Sequence, residues 1–171
     1  WWVGILVGGG GSAALDYAEI RYGGCYWSGS GQFDGMGNLY KEGTGDLTLN
    51  HSVVSNGSSY GLKLVSTSGT LQISNSTIEN NGRHGIYLNN TGTGATVQDN
   101  TITGNSQYGL YAAGDSMPLV TGNSLSGNGS GSVGMPANSS GVVVDGTNIF
   151  TDPLRGESGA IARDVTWLNQ R

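Results

Sequence analysis

Between Thr70 and Ala112 one pattern is written twice. TLQISNSTIENNGRHGIYL runs from Thr70 to Leu88, and ATVQDNTITGNSQYGLYA from Ala95 to Ala112. Ile73 falls on Val97, Ile78 on Ile102 and Ile86 on Leu110, each step being 24 residues. A fixed period in this range means stacked units, each unable to bury its apolar face alone. This constrains the fold more tightly than any local preference.

Laid on that period, the whole chain resolves into coils. An inward-facing pair, five residues apart, recurs as Leu15/Ile20, Leu49/Val54, Ile73/Ile78, Val97/Ile102, Val120/Leu125 and Val144/Ile149. A further apolar position follows eight residues later at Leu62, Ile86, Leu110 and Val133, with Ile5, Leu39 and Ile161 as the equivalents in irregular coils. Short strands with alternating side chains, separated by Gly, Asn and Ser turns, account for this spacing. Strands of successive coils then lie about 4.8 Å apart in parallel sheets around one continuous core. Leucine-rich repeats share the period but need denser leucine and usually a helical return. The expected fold is an all-β parallel β-helix, a single domain over 1–171.

Polar positions should stack as well. Ser52, Ser76, Asn100, Asn123 and Thr147 share the parity of the core residue two places on, and Asn81, Asn105 and Asn128 align at the next turn. Such ladders let amides satisfy one another and the turn backbone, so we read them as scaffold.

Composition narrows the partners. Of 171 residues, 32 are Gly and 11% are charged, yet the apolar residues recur in register, unlike a low-complexity tail. A net charge of −5 with no run among the seven Lys and Arg argues against a nucleic-acid surface. Helix is not expected, since these residues are poor helix formers and no 3.6-residue stripe is present. The longest apolar run, Trp1–Val7, is far short of the ~20 residues of a membrane helix, so no membrane insertion is expected. Cys25 stands alone and can form no intrachain disulfide. The chain starts at Trp1 without an initiator Met or signal peptide, and DVTWLNQR at its other end reads as the start of another coil. We read it as a piece of a longer protein, with flanking domains or end-to-end self-association closing its ends.

The segments NSTIENNGRHGIYL and NTITGNSQYGLY resemble the right-handed parallel β-helix repeat shared by pectate-lyase-like and NosD-like proteins. The opening GILVGGGGSAALDYAEIRYGG resembles the coils of secreted bacterial β-helix proteins. The resemblance spans nearly the whole chain. It implies a right-handed solenoid, as the crossover rule also predicts, and a secreted setting. For function it implies little, because this fold hosts lyases, hydrolases, epimerases and non-catalytic surface modules.

Two coils break the spacing at the same connection. Ile20 to Leu39 spans 19 residues and Ile149 to Ile161 spans 12, where regular coils take eight. The expected insertions are 22–38, carrying Cys25, Tyr26, Trp27, Phe33 and Asp34, and 151–158, carrying Asp152, Pro153, Arg155 and Glu157. Insertions on one side of a solenoid often border its binding face. Between them, the residues after each second-strand core position form an outward stripe of Tyr40, Lys63, Tyr87 and Tyr111, about 14 Å long at one strand spacing per coil. Aromatic faces with a cation suit sugar rings or an extended anionic chain. Tyr is also a good strand residue that stacks on its neighbours without any ligand.

Catalytic patterns are weak. Calcium wants converging oxygen ligands and a glycosidase wants two carboxylates about 5–9 Å apart. Here Asp99 has Asn75 and Gly122 as register neighbours, Glu79 has Ser55 and Thr103, and Asp145 and Asp152 lie at a strand and in the expected loop. His84, beside Arg83, aligns with Tyr60 and Tyr108 and reads as a hydrogen-bonded turn residue. The Gly8–Gly11 run reads as a turn, and the short Thr77/Thr101 rank is too small for an ice-binding lattice. The sequence therefore points to a non-catalytic, extracellular or cell-surface β-helix module that binds polysaccharide or a cell-surface glycan, or mediates adhesion. Its contact candidates are Tyr40, Lys63, Tyr87, Tyr111 and Trp27, with no catalytic residue, metal or cofactor assigned. The alternatives are a polysaccharide lyase or glycoside hydrolase, and a purely structural stalk.

Overall fold

The computed structural model describes residues 2–24, 35–139 and 141–157. Among these there is no helix, and the strands form three parallel sheets. Sheet A has seven strands: Ile5–Val7, Leu39–Gly43, Leu62–Thr67, Ile86–Asn89, Tyr108–Ala113, Gly131–Pro136 and Leu154–Glu157. Sheets B and C have six strands each, and every coil visits B, then C, then A. The repeat at Thr70 shows the plan, with Leu71–Ser74 in B, Thr77–Glu79 in C and Ile86–Asn89 in A. The result is a right-handed parallel β-solenoid with coils of about 24 residues.

The register follows the period. Ile73 pairs with Val97, Ile78 with Ile102 and Ile86 with Leu110. Leu49, Val54, Leu62, Ile73, Ile78, Ile86, Val97, Ile102 and Leu110 are all fully buried. At about 1.5–3 kcal/mol for each aliphatic side chain removed from water, the stacked core stabilises coils whose turns are otherwise polar. Ile5 and Leu39 occupy the expected sheet A positions, pairing with each other. Ile161 lies outside the described residues.

Corners between sheets need left-handed backbone, and the composition follows from that. From B to C the corner is Tyr17, His51, Asn75, Asp99 and Gly122, with φ of 53°, 45°, 49°, 54° and 67°. From C to A it is Tyr22, Asn56, Asn80, Gly104 and Gly127, with φ of 59°, 55°, 54°, 65° and 64°. Asn, Asp and Gly tolerate this region far better than other residues.

The amide ladders form as expected and reach further. Asn105 Oδ1 accepts from the backbone N–H and the side-chain amide of Asn81, and Asn105 Nδ2 donates to Asn128 Oδ1 at 3.0 Å. Asp152 ends this row, its Oδ2 accepting from the Asn128 N–H at 2.8 Å. At the other end Gly57 stands in the ladder position, and the space a side chain would fill is taken by Asn38, whose Nδ2 donates to Asn81 Oδ1 at 3.0 Å. The second ladder runs through buried Ser52, Ser76, Asn100 and Asn123.

Three expectations are corrected at the C-terminal coil. Leu125 pairs with Phe150, not Ile149, which is 63% exposed. Val144 does pair with Val120. Its turn through Asp145, Gly146 and Thr147 is one residue longer than Thr121–Gly122, and everything after it shifts by one. For the same reason Asn148, not Thr147, continues the amide ladder, accepting from Asn123 at 3.0 Å. The expected insertion at 151–158 is not a projecting loop over its described part: Leu154–Glu157 is the last strand of sheet A, with Leu154 opposite Val133. The turn contracts there, and all four residues of that strand are exposed.

One core position was not anticipated. Lys41 faces inward opposite Val7 and Leu64, where an aliphatic residue belongs, and is fully buried. Its Nζ donates to the Glu42 carbonyl at 2.7 Å. The carbonyl lies beside a register shift between Glu42 and Gly43, where the ladder is locally irregular.

Candidate functional site

The outer face of sheet A carries the expected stripe. Tyr40 pairs with Lys63, Lys63 with Tyr87 and Tyr87 with Tyr111, all half-buried. The next two register positions are Gly134 and Arg155. A side chain at Gly134 would meet the Tyr108 ring at 2.8 Å, so this glycine gives that ring its seat at the end of the row.

A second row doubles the first. Tyr60 and His84, from the turn before sheet A, and Tyr108, the first residue of its strand, pack against the stripe. His84 stacks on Tyr111 at 4.7 Å and on Tyr87 at 5.8 Å, both within 11° of parallel. Tyr87 and Tyr111 lie 5.9 Å apart and within 6° of parallel. Tyr60 meets Tyr87 at 5.1 Å and Tyr108 meets Tyr111 at 5.5 Å, each tilted. Much of the flat ring surface is therefore turned toward other rings, so the sheet A face meets solvent with ring edges as well as faces.

Cations close one end of this cluster. Lys63 Nζ lies 5.6 Å from the Tyr40 ring centre and 5.3 Å from that of Tyr60. The Arg83 guanidinium lies 5.3 Å from Tyr60, and its Nη1 donates to the Tyr60 hydroxyl at 3.0 Å. A side chain at Gly35 would come within 3.5 Å of Lys63 Nζ and 3.8 Å of Arg83 Nη1. Gly35, within the 22–38 segment, thus lies beside both cations. Trp27, Cys25 and Asp34 lie outside the described residues.

Carboxylates hold the hydroxyls. Tyr40 donates to Glu42 at 2.9 Å and Tyr111 donates to Glu157 at 2.6 Å. Burial, then the bond to Glu42 and its charge, push the Tyr40 phenol up to about 12. Burial and Glu157 push Tyr111 up as well, and burial raises Tyr87 and Tyr108. These phenols stay protonated at neutral pH, and those of Tyr40 and Tyr111 donate to their carboxylates. Burial, with the Arg83 charge second, lowers His84 to about 4. Its Nδ1 accepts the Tyr108 backbone N–H at 3.1 Å, which puts the ring proton on Nε2. His84 is the hydrogen-bonded turn residue that its register implied.

The acids stay dispersed. Glu79 pairs with Ser55 and Thr103, Asp145 accepts from Thr121 at 2.6 Å, and Asp152 ends the amide ladder. Among the described residues no three His, Cys, Asp or Glu side chains come together. Sequence reasoning missed Glu42 and Glu157 as partners of the stripe, and used Tyr60 and Tyr108 only as register mates of His84. The 24-residue step through 60, 84 and 108 was the signal for the second row.

No curated protein and no solved structure matches the chain. A family model described as the right handed beta helix region matches residues 64–153, more than half of the sequence. The matched stretch contains Tyr87, Tyr111, His84 and the Asn81–Asn105–Asn128 and Asn100–Asn123 parts of the ladders. The chain belongs to the right-handed β-helix family.

Proposed function

We propose that this β-helix is a non-catalytic extracellular or cell-surface module that binds polysaccharide on the outer face of sheet A. The observation that carries the reading is the aromatic row with its cations: Lys63 over Tyr40 and Tyr60, continued by Tyr87 and Tyr111 in register. Protonated phenols, ring edges and an ammonium suit the hydroxyls and carboxylates of an extended glycan. The test is a pull-down on neutral and acidic polysaccharides with wild type, Tyr87→Ala/Tyr111→Ala and Lys63→Ala. Binding should fall at least tenfold in the variants while the fold survives. Unchanged affinity for every polysaccharide bound by wild type would end the proposal.

A second reading is a polysaccharide lyase or hydrolase. It is favoured by the convergence of Lys63 and Arg83 beside Gly35, at the edge of the insertion. Release of reducing ends or unsaturated products from the same panel, with and without calcium, would establish it in place of the first.

A further inference from the structure

A cleft lies away from the sheet A stripe, at the outer corner of the N-terminal coil. It has a volume of about 450 Å³ and is lined by Trp2, Tyr22, Asn56 and Ser58. Trp2 is 42% exposed and Tyr22 is 65% exposed. The indole is fixed, because Nε1 donates to the Arg21 carbonyl at 2.8 Å. Ser58 Oγ donates to the Gly24 carbonyl, which leaves its lone pairs directed away from that bond. Asn56 Nδ2 donates to Ser55 Oγ at 3.1 Å, and its Oδ1 has no partner among the described residues.

Tyr22 is the unexpected member. It holds φ 59° at a corner that later coils fill with Asn56, Asn80, Gly104 and Gly127. A bulky side chain there is strained, and such strain concentrates where a side chain serves a site. Tyr17 holds the corresponding strain at the other corner of the same coil, but its ring stacks on His51 at 4.8 Å. Tyr22 has no ring partner among the described residues, and its side chain lines the cleft.

We infer that the Trp2–Tyr22 cleft is a subsite for a neutral sugar ring, an inference that rests on the glycan-binding reading. Two aromatic side chains, an amide and a hydroxyl, with no charged side chain among the described lining residues, match a pyranose without a carboxylate. The guanidinium of Arg21, the residue before Tyr22, is paired with Glu19 at 3.2 Å. The cleft therefore differs in chemistry from the cationic sheet A face.

The test uses cellohexaose, mannohexaose, xylohexaose and hexagalacturonate as probes in isothermal titration calorimetry. Tyr22→Asn restores the residue that suits the corner, so it should raise Tm while weakening the bound neutral hexasaccharide at least tenfold. Trp2→Ala should weaken the same probe comparably, and neither should change hexagalacturonate binding. The inference is overturned if wild type binds no neutral hexasaccharide, or if Tyr22→Asn binds as wild type does. Failure of the sheet A reading is seen separately, as hexagalacturonate binding unaffected by Tyr87→Ala/Tyr111→Ala.

Discussion

Lowering the pH should destabilise this protein through one imidazole. His84 is packed among Tyr60, Tyr87, Tyr108 and Tyr111, beside Arg83, and its Nδ1 accepts the Tyr108 N–H. A second proton would have to displace that N–H and place a cation in a desolvated stack next to another cation. The group titrates at 6.5 in an open chain and at about 4 in the fold, so the unfolded state binds the proton first. Stability from neutral His84 is fully present above about pH 6.5, is lost as pH falls toward 4, and changes no further below that. At about 1.36 kcal/mol per pH unit the full difference is about 3 kcal/mol, of which about 2 kcal/mol is gone by pH 5. Urea unfolding of wild type and His84→Asn at pH 7.5, 6, 5 and 4.5 isolates this contribution, since Asn Oδ1 can accept the same N–H. The wild-type curve should fall below the variant's by about 2 kcal/mol between pH 7.5 and 5. Parallel curves would refute the reasoning.

Four further substitutions test the scaffold. Asn105→Ala removes the acceptor for the Asn81 N–H and should cost about 2–4 kcal/mol by urea unfolding, with faster hydrogen exchange at that amide. Lys41→Met replaces a fully buried ammonium by an apolar chain of similar length and should raise stability by about 1–2 kcal/mol; a loss above 1 kcal/mol would mean that its bond to the Glu42 carbonyl outweighs desolvation. Phe150→Ala should cost about 2 kcal/mol and Ile149→Ala under 0.5 kcal/mol in thermal unfolding, and the reverse order would restore the unshifted register.

The fold was legible because side-chain parity and coil length repeat together. Ile73, Val97 and Val120 could be placed from residue type and spacing alone, and so could the Asn81–Asn105–Asn128 row. The last coil was misread because one added residue among Asp145, Gly146 and Thr147 leaves Ile149 looking as good a core residue as Phe150. Lys41 shares the inward parity of Leu39, but a lysine on a strand reads as solvent-facing until the shifted carbonyl beneath it is seen. Asn38 and Asp152 fell within supposed insertions, so their ladder roles had no spacing to reveal them. The stripe itself followed from register. Its second row, with His84 stacked between tyrosines, required the turn geometry that brings Tyr60 and Tyr108 over sheet A.

The Asn ladder has a direction. Asn81 donates to Asn105, Asn105 to Asn128 and Asn128 to Asp152, so each backbone N–H of the row finds its acceptor in the coil that follows, while the side-chain amides also donate back to the Val54, Ile78 and Ile102 carbonyls of the coil before. A ribosome delivers these coils in the opposite sense, with the earlier one always waiting. Asn81 reaches the tunnel exit before the Oδ1 that will receive its N–H has been synthesised. Growth on the ribosome should therefore run one coil in arrears, each newly emerged turn completing its predecessor and leaving its own ladder N–H to water until the next arrives.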